Sequence, residues 1–241
     1  MERTAVRGRL NWQLARMVDG IAETARTKSI EFDVPHWPGH LAGQHVDVRL
    51  TADDGYQAQR SYSIASAPDD ERLAITVHRL DDGEVSPYLT EILRPGDEIE
   101  LRGPIGGYFV WEETLGGPIL LVAGGSGVVP LRAILRHHRA IGSTVPARLL
   151  YSARTRDALI YHEELASYDA VVTLTNEQST DWSGRTGRID TRFLAETAWP
   201  VAERPLVYIC GPTGFVEAVA EALVELGHSP DRIRTERFGP T

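Results

Sequence analysis

Near residue 111 the sequence changes rhythm, and that change limits the folds open to this chain. Before it, short strand-like runs alternate with turn punctuation. Candidate strands fall at 10–18, 28–34, 44–50, 59–64, 73–78 and 97–102, with turn-rich segments at 35–43, 52–55 and 67–71. Strands at this spacing predict an antiparallel barrel or sandwich. One short helix interrupts them. Ser86 is placed to cap it, Pro87 suits its first position, residues 88–93 form its body, and Pro95-Gly96 ends it.

After residue 117 apolar strand-like runs alternate with helical patterns. Residues 118–123, 147–151, 170–175, 206–210 and 233–238 read as strands. Residues 128–141 carry Val128, Leu131, Ile134, Leu135 and Ile141 at helical spacing, with Gly142 as a stop. Residues 160–166 read as a short helix. Residues 213–226 form an amphipathic one with Val216, Val219, Ala220, Leu223 and Leu226 on one face. Such alternation predicts a doubly wound parallel sheet. The expectation is therefore β + α/β: a β domain over 1–113 and an α/β domain over 114–241. A chain of 241 residues can house both.

Four motifs fall where this architecture would hold ligands. Arg60-Ser61-Tyr62-Ser63 puts Arg60 and Tyr62 on one side of a strand and Ser61 and Ser63 on the other. An arginine beside an aromatic ring suits a ligand with both a phosphate and a flat ring. Gly124-Gly125-Ser126-Gly127-Val128-Val129-Pro130 follows an apolar strand and opens a helix. Its glycines permit close backbone approach, and the free amides of a helix start favour a phosphate. It matches G-x-G-x-x-G only in part, because Pro130 stands where the last glycine belongs. Cys210-Gly211-Pro212-Thr213 also joins a strand end to a helix start, so both loops should open on one sheet edge. Gly83-Glu84-Val85-Ser86 offers a further anion site before the short helix, although a plain turn has the same composition.

Bulk properties exclude several classes. The formal net charge of −9 gives nucleic-acid binding no support. With Cys210 as the single cysteine, neither an internal disulfide nor a cysteine-ligated iron–sulfur cluster can form within this chain. No apolar run approaches the roughly 20 residues that span a bilayer. The first residues carry no signal-peptide pattern, so a cytoplasmic protein is expected. The eight histidines show no paired ligand spacing beyond the adjacent His137-His138, so no metal site is expected.

Taken in order, Arg60–Ser63, Gly83–Ser86, Gly103-Pro104-Ile105-Gly106, the Gly124–Pro130 loop, Cys210-Gly211-Pro212 and Glu236-Arg237-Phe238 resemble the ferredoxin–NADP reductase family over nearly the whole chain. The likeness is strongest to its bacterial oxygenase-reductase branch, here without an iron–sulfur domain. The resemblance implies a Greek-key flavin barrel, with FAD as cofactor, followed by a nicotinamide-nucleotide domain using NADH or NADPH as cosubstrate. It implies that Arg60, with Ser61 beside it, holds the flavin pyrophosphate and that Tyr62 lies against the isoalloxazine. Ser63 falls near the flavin N5. His78 and Arg79 approach the diphosphate, as do Gly83, Val85 and Ser86. Gly125, Ser126, Gly127 and Val128 cradle the dinucleotide, while Cys210, Gly211 and Pro212 border the nicotinamide. Phe238 covers the other flavin face and moves aside for the nicotinamide, and Glu236 is a nearby carboxylate. Catalytic roles thus fall to Ser63, Cys210, Glu236 and Phe238. Hydride passes from NAD(P)H to FAD, and single electrons pass on to a separate acceptor: a ferredoxin, an oxygenase component or a small molecule.

Two further expectations concern coenzyme and partner. Thr175-Asn176-Glu177 stands where plant-type relatives carry a Ser-Arg pair for the 2′-phosphate of NADPH. A carboxylate there repels that phosphate and can bond a free ribose hydroxyl, which favours NADH. Arg154, Arg156, Arg185 and Arg188 are the opposing cations. Arg132, Arg136 and Arg139, with His137 and His138, form a basic stripe on the helix after the glycine loop, either a dock for an acidic ferredoxin or a solvated face. Arg3, Arg7 and Arg9 add a small basic cluster. Two other functions share these motifs: a flavin- and nucleotide-binding sensor or subunit without turnover, and a reductase of free flavin.

Overall fold

The computed structural model describes residues 10–177 and 181–239, so Arg3, Arg7 and Arg9 lie outside the described residues. The first half forms β1 (Gln13–Thr24), β2 (Thr27–Asp33), β3 (His45–Thr51), β4 (Gln57–Ser63), β5 (Leu73–His78) and β6 (Glu98–Ile105). They make one antiparallel sheet in the order β4-β3-β6-β1-β2-β5, with β6 inserted between β3 and β1 in Greek-key fashion. The two edge strands meet at an Ile64–Ile75 bridge, reinforced by the Ala65 amide donating to the Ala74 carbonyl at 2.7 Å. The sheet therefore closes at the end of β4 that carries Ser63. Alternating Val46, Val48, Ile30, Phe32, Ile75 and Val77 fill its interior.

The second half forms β7 (Ile119–Gly124), α2 (Val128–Ala140), β8 (Ala147–Ala153), α3 (His162–Leu165), β9 (Ala170–Leu174), β10 (Arg185–Thr186), α4 (Thr191–Thr197), β11 (Leu206–Pro212), α5 (Thr213–Glu225) and β12 (Ile233–Phe238). All pairings in its sheet are parallel, in the order β10-β9-β8-β7-β11-β12. The unbroken apolar run of β7 follows from burial on both faces. Ile119, Leu121 and Ala123 pack on one side, Leu120 and Val122 on the other. Burying each of these branched side chains is worth roughly 1.5–3 kcal/mol. The order reverses beside β7, so the ends of β7 and β11 flank the crevice where such sheets bind ligands.

Several elements differ from the sequence expectation, the two-residue strand β10 among them. β1 runs on to Thr24, because its outer half pairs with β2 beyond the barrel core and is largely exposed, with no apolar alternation to mark it. The short helix begins before Ser86, as α1 (Val85–Pro87) continuing into a π turn over Tyr88–Ile92. Ser86 is thus inside the helix and not its cap. Its buried hydroxyl accepts from the Leu80 amide at 3.0 Å and staples the preceding loop. Helix α4 was not foreseen, although Asp190 marks its start by accepting from the Phe193 amide at 2.8 Å.

Phe109 and Trp111 precede the change of rhythm yet pack into the core of the second sheet. Phe109 meets Tyr208 edge-on, with ring centroids 5.2 Å apart. The basic stripe of α2 is not a free surface. Arg132 pairs with Glu164, Arg136 with Asp70, and His137 with Asp69. Arg139 donates to Ser167, and His138 meets the Val145 carbonyl. These partners lie on or just after α3, in the loop after β4 and just before β8, so spacing along the helix could not reveal them.

Candidate functional site

The crevice is built from backbone on its α/β side. Gly125 turns the chain with φ +56°, out of reach of most side chains. Gly127 lies so close to β11 that an added Cβ would sit 2.0 Å from the Cys210 carbonyl oxygen. The glycine loop and the Cys210–Pro212 strand end are thereby pressed together, as the pairing of Cys210 with Ala123 requires. Ser126 and Val128 follow Gly125 at the start of α2, and Gly211 and Pro212 end β11.

The barrel side is built from paired side chains. Ser63 sits directly opposite His45 on β3, and Ser61 opposite Asp47. Directly opposed residues share a face, so His45 stands beside Ser63. Ser61 is already committed: its hydroxyl donates to Asp47 at 2.6 Å, and Arg102 donates to the same carboxylate at 2.7 Å. Burial alone would raise the Asp47 carboxyl, but these hydrogen bonds hold it below its ordinary value. On the other face Tyr62 is half-buried against the barrel core, which pushes its phenol up. Arg60 is exposed, and its guanidinium reaches the neighbouring Gln59 carbonyl at 2.6 Å. Helix α1 packs beside β4, and Tyr56 donates to Glu84 at 2.9 Å, so Gly83, Val85 and Ser86 are brought to the same strand as Arg60 and Tyr62.

His78 is exposed, and its Nδ1 lies 2.9 Å from the Thr27 hydroxyl. Arg79 is turned away, toward Glu91 and Asp81, and lines a separate cavity of about 240 Å³ with Arg26 and Lys28. Among the cations near Thr175-Asn176-Glu177, Arg185 is paired with Glu196 at 2.8 Å. The Glu177 carboxylate accepts from the Arg156 amide at 2.8 Å, at the carboxyl edge of β8 and β9.

The two sides meet at Glu236. It pairs with Cys210 across β11 and β12, and its Oε1 lies 3.9 Å from His45 Nδ1. Its other oxygen is buried without a hydrogen-bond partner among the described residues. Burial pushes the carboxyl up to about 7. Burial lowers the His45 imidazole, with Asp47 opposing, and burial followed by Glu236 raises the Cys210 thiol. The thiol is therefore protonated at neutral pH. Phe238, opposite Pro212, leaves 37% of its surface exposed, a large aromatic face at the mouth of the crevice. No local motif marks His45, because only strand register sets it against Ser63.

Two domain models match the chain: an oxidoreductase FAD-binding domain over residues 16–110 and an oxidoreductase NAD-binding domain over 121–221. The ferredoxin–NADP reductase B of Sorangium cellulosum is 35% identical over 212 residues, covering 82% of this chain and 84% of that protein. The chain belongs to the ferredoxin–NADP reductase family. The glycine betaine monooxygenase reductase subunit of Chromohalobacter salexigens is 32% identical over 238 residues. The chain spans 64% of that relative's length. Among solved structures, the flavohem-like FAD/NAD-binding domain of nitric oxide dioxygenase from Vibrio cholerae superposes with a TM-score of 0.83 at 27% identity, covering 95% of this chain and 99% of that one.

FAD and a nicotinamide nucleotide are thus the cofactors of this reductase fold. The residues present fit them: an exposed arginine and a half-buried tyrosine on the closing strand, a glycine loop at the switch point, and a buried carboxylate oxygen still without a partner. Among the described residues no helix is long and apolar enough to cross a membrane.

Proposed function

We propose that this chain is the reductase of an electron-transfer system, oxidising NADH and passing single electrons to a separate acceptor. That acceptor is a ferredoxin, an oxygenase component or a small molecule. When bound, FAD supplies the redox chemistry, taking two electrons as hydride from the reduced nicotinamide and giving them up singly. The chain's residues bind, orient and shield. Arg60 holds the pyrophosphate, aided by the backbone of Gly83, Val85 and Ser86. Tyr62 lies along the flavin ring. Gly125, Ser126, Gly127 and Val128 hold the nicotinamide nucleotide, and Cys210, Gly211 and Pro212 wall its ring. Phe238 covers the flavin and swings aside for the nicotinamide, a gating step.

The observation that carries this proposal is the meeting of Ser63 and His45, from the barrel, with Glu236 and Cys210, from the α/β sheet. The division at 113/114 is supported by the turn Glu113–Leu115 between the last strand of one sheet and the first of the other. The NADH preference rests on Glu177 at the edge of β8 and β9 and on the pairing of Arg185 with Glu196. A cytoplasmic location is supported by the single, unpaired cysteine.

Spectra and steady-state kinetics test the proposal together. The purified protein should be yellow, release FAD, and reduce ferricyanide with NADH. NADH should exceed NADPH in kcat/KM by about tenfold or more, a difference of about 1.4 kcal/mol. Strong NADPH preference would overturn the coenzyme assignment. Tight flavin without turnover would indicate a sensor, and activity only with added flavin a free-flavin reductase.

A further inference from the structure

Helix α2 begins at the glycine loop and continues along the barrel, and its second turn presents Arg132 to the flavin strand's end. Arg132 Nη1 donates to the carbonyl of Ala65 at 3.2 Å, two residues beyond Ser63. Its Nε and Nη2 donate to one Glu164 oxygen at 2.8 and 2.6 Å. The guanidinium lies 4.4 Å from the Tyr161 ring centroid. One side chain thus joins the helix that opens at the nucleotide loop to the strand that carries Ser63.

Tyr161 makes a second tie. It is buried, yet it holds a left-handed backbone with φ 60°, a conformation kept only where surroundings enforce it. Its hydroxyl lies 2.5 Å from the Thr76 hydroxyl, which lies 2.8 Å from that of Ser29. Ser29 donates to Glu23 at 2.6 Å. The carboxylate can only accept, so the chain has one polarity: Tyr161 donates to Thr76, Thr76 to Ser29, and Ser29 to Glu23. Ala65 and Thr76 belong to the two segments that close the barrel at Ile64–Ile75. One helical turn further along α2, Arg136 reaches Asp70 in the loop between those segments at 2.7 Å.

We propose that Arg132, supported by Tyr161, is a positioning residue that fixes the separation between the flavin strand and the nicotinamide loop, and so the distance over which hydride passes. The role rests on the functional proposal above. Arg132 makes its contacts with Ala65, Glu164 and Tyr161. It acts through the Ala65 carbonyl and the rigid start of α2, where a shift of about 1 Å is enough to cost about 10²-fold in rate.

Stopped-flow flavin reduction tests this with wild type, Arg132→Met, Arg132→Lys and Tyr161→Phe. For Arg132→Met the limiting rate at saturating NADH should fall by about 10²-fold, with flavin content and NAD⁺ affinity as in wild type. The deuterium isotope effect from C4-labelled NADH should rise. Lysine keeps the charge but cannot bridge Ala65 and Glu164 together, so that variant should recover part of the rate. Tyr161→Phe keeps the ring and should lie between lysine and wild type. Arg139→Met, whose arginine bonds Ser167 within its own domain, should match wild type. A readout independent of turnover is amide exchange at residues 64–66 in flavin-free protein, which should quicken in Arg132→Met and not in Arg139→Met. Unchanged limiting rate, isotope effect and exchange in Arg132→Met overturn the role. A rate loss that only follows lost flavin or nucleotide affinity overturns it as well. Absence of bleaching in wild type by either coenzyme would instead sink the functional proposal, while the exchange comparison still decides the tie.

Discussion

The two halves of the crevice are made of different material. On the α/β side the ligand surface is backbone: a left-handed Gly125, a Gly127 pressed on Cys210, and two strand ends at a switch point. On the barrel side it is side chain: Arg60 and Tyr62 on one face of β4, Ser63 and His45 paired on the other. The difference is in how each can fail. A backbone surface tolerates no added atom, whereas a side-chain surface loses one interaction at a time.

The sharpest way to break that contrast is Gly127→Ala. The new Cβ meets a carbonyl oxygen at 2.0 Å, and the obstacle is strand backbone that cannot rotate away. Overpacking of this kind costs about 1–3 kcal/mol or more. Here it should also open the seam between α2 and β11. Chemical denaturation should show the loss, and NADH titration a collapse of affinity, while flavin content stays higher than nucleotide affinity. Equal loss of both ligands would mean that the two sides are not separately built.

Arg60→Ala probes the other material and should do less. It removes one charge-assisted phosphate contact, worth about 1.5–3 kcal/mol of flavin affinity. Stability should hold, because Arg60 is exposed and its guanidinium donates to the carbonyl of its own neighbour Gln59. Equilibrium dialysis of FAD against the variant measures it. Unchanged affinity would remove Arg60 from the site.

The same contrast explains what could be read from the sequence. Strand–loop–helix motifs announce backbone sites, because glycine at a strand end has few other uses; hence the Gly124–Pro130 and Cys210–Pro212 loops, and the sheet that joins them, were legible. Side-chain sites depend on cross-strand register, which no local pattern carries. Ser61 stands in a motif, yet only register shows that its hydroxyl donates to Asp47, which also accepts from Arg102. His45 stood in no motif, yet register places it opposite Ser63. Arg132 and Arg136 read as surface charge, because their partners across the domain seam, the Ala65 carbonyl and Asp70, are distant in sequence.

Glu236 is where backbone and side-chain sites meet, and its titration gives the smallest but most specific test. Burial raises its carboxyl from the ordinary 4.5 to about 7, so the native state holds a proton that the unfolded chain has released between those values. Native protein therefore loses stability as pH rises through that window, and the loss is complete above about 7. With a quarter of the side chain still exposed, the cost is about 1–3 kcal/mol at most. Glu236→Gln keeps the shape and removes the charge. The variant should match wild type near pH 4.5 and exceed it in stability above 7, as read from urea midpoints at both values. Burial lowers the His45 imidazole, 3.9 Å away, so it offsets the carboxylate less than an ordinary imidazole would. A constant difference across pH would place the proton elsewhere. A difference of the opposite sign would mean that the carboxylate is stabilised in the folded chain, and that His45 is charged beside it.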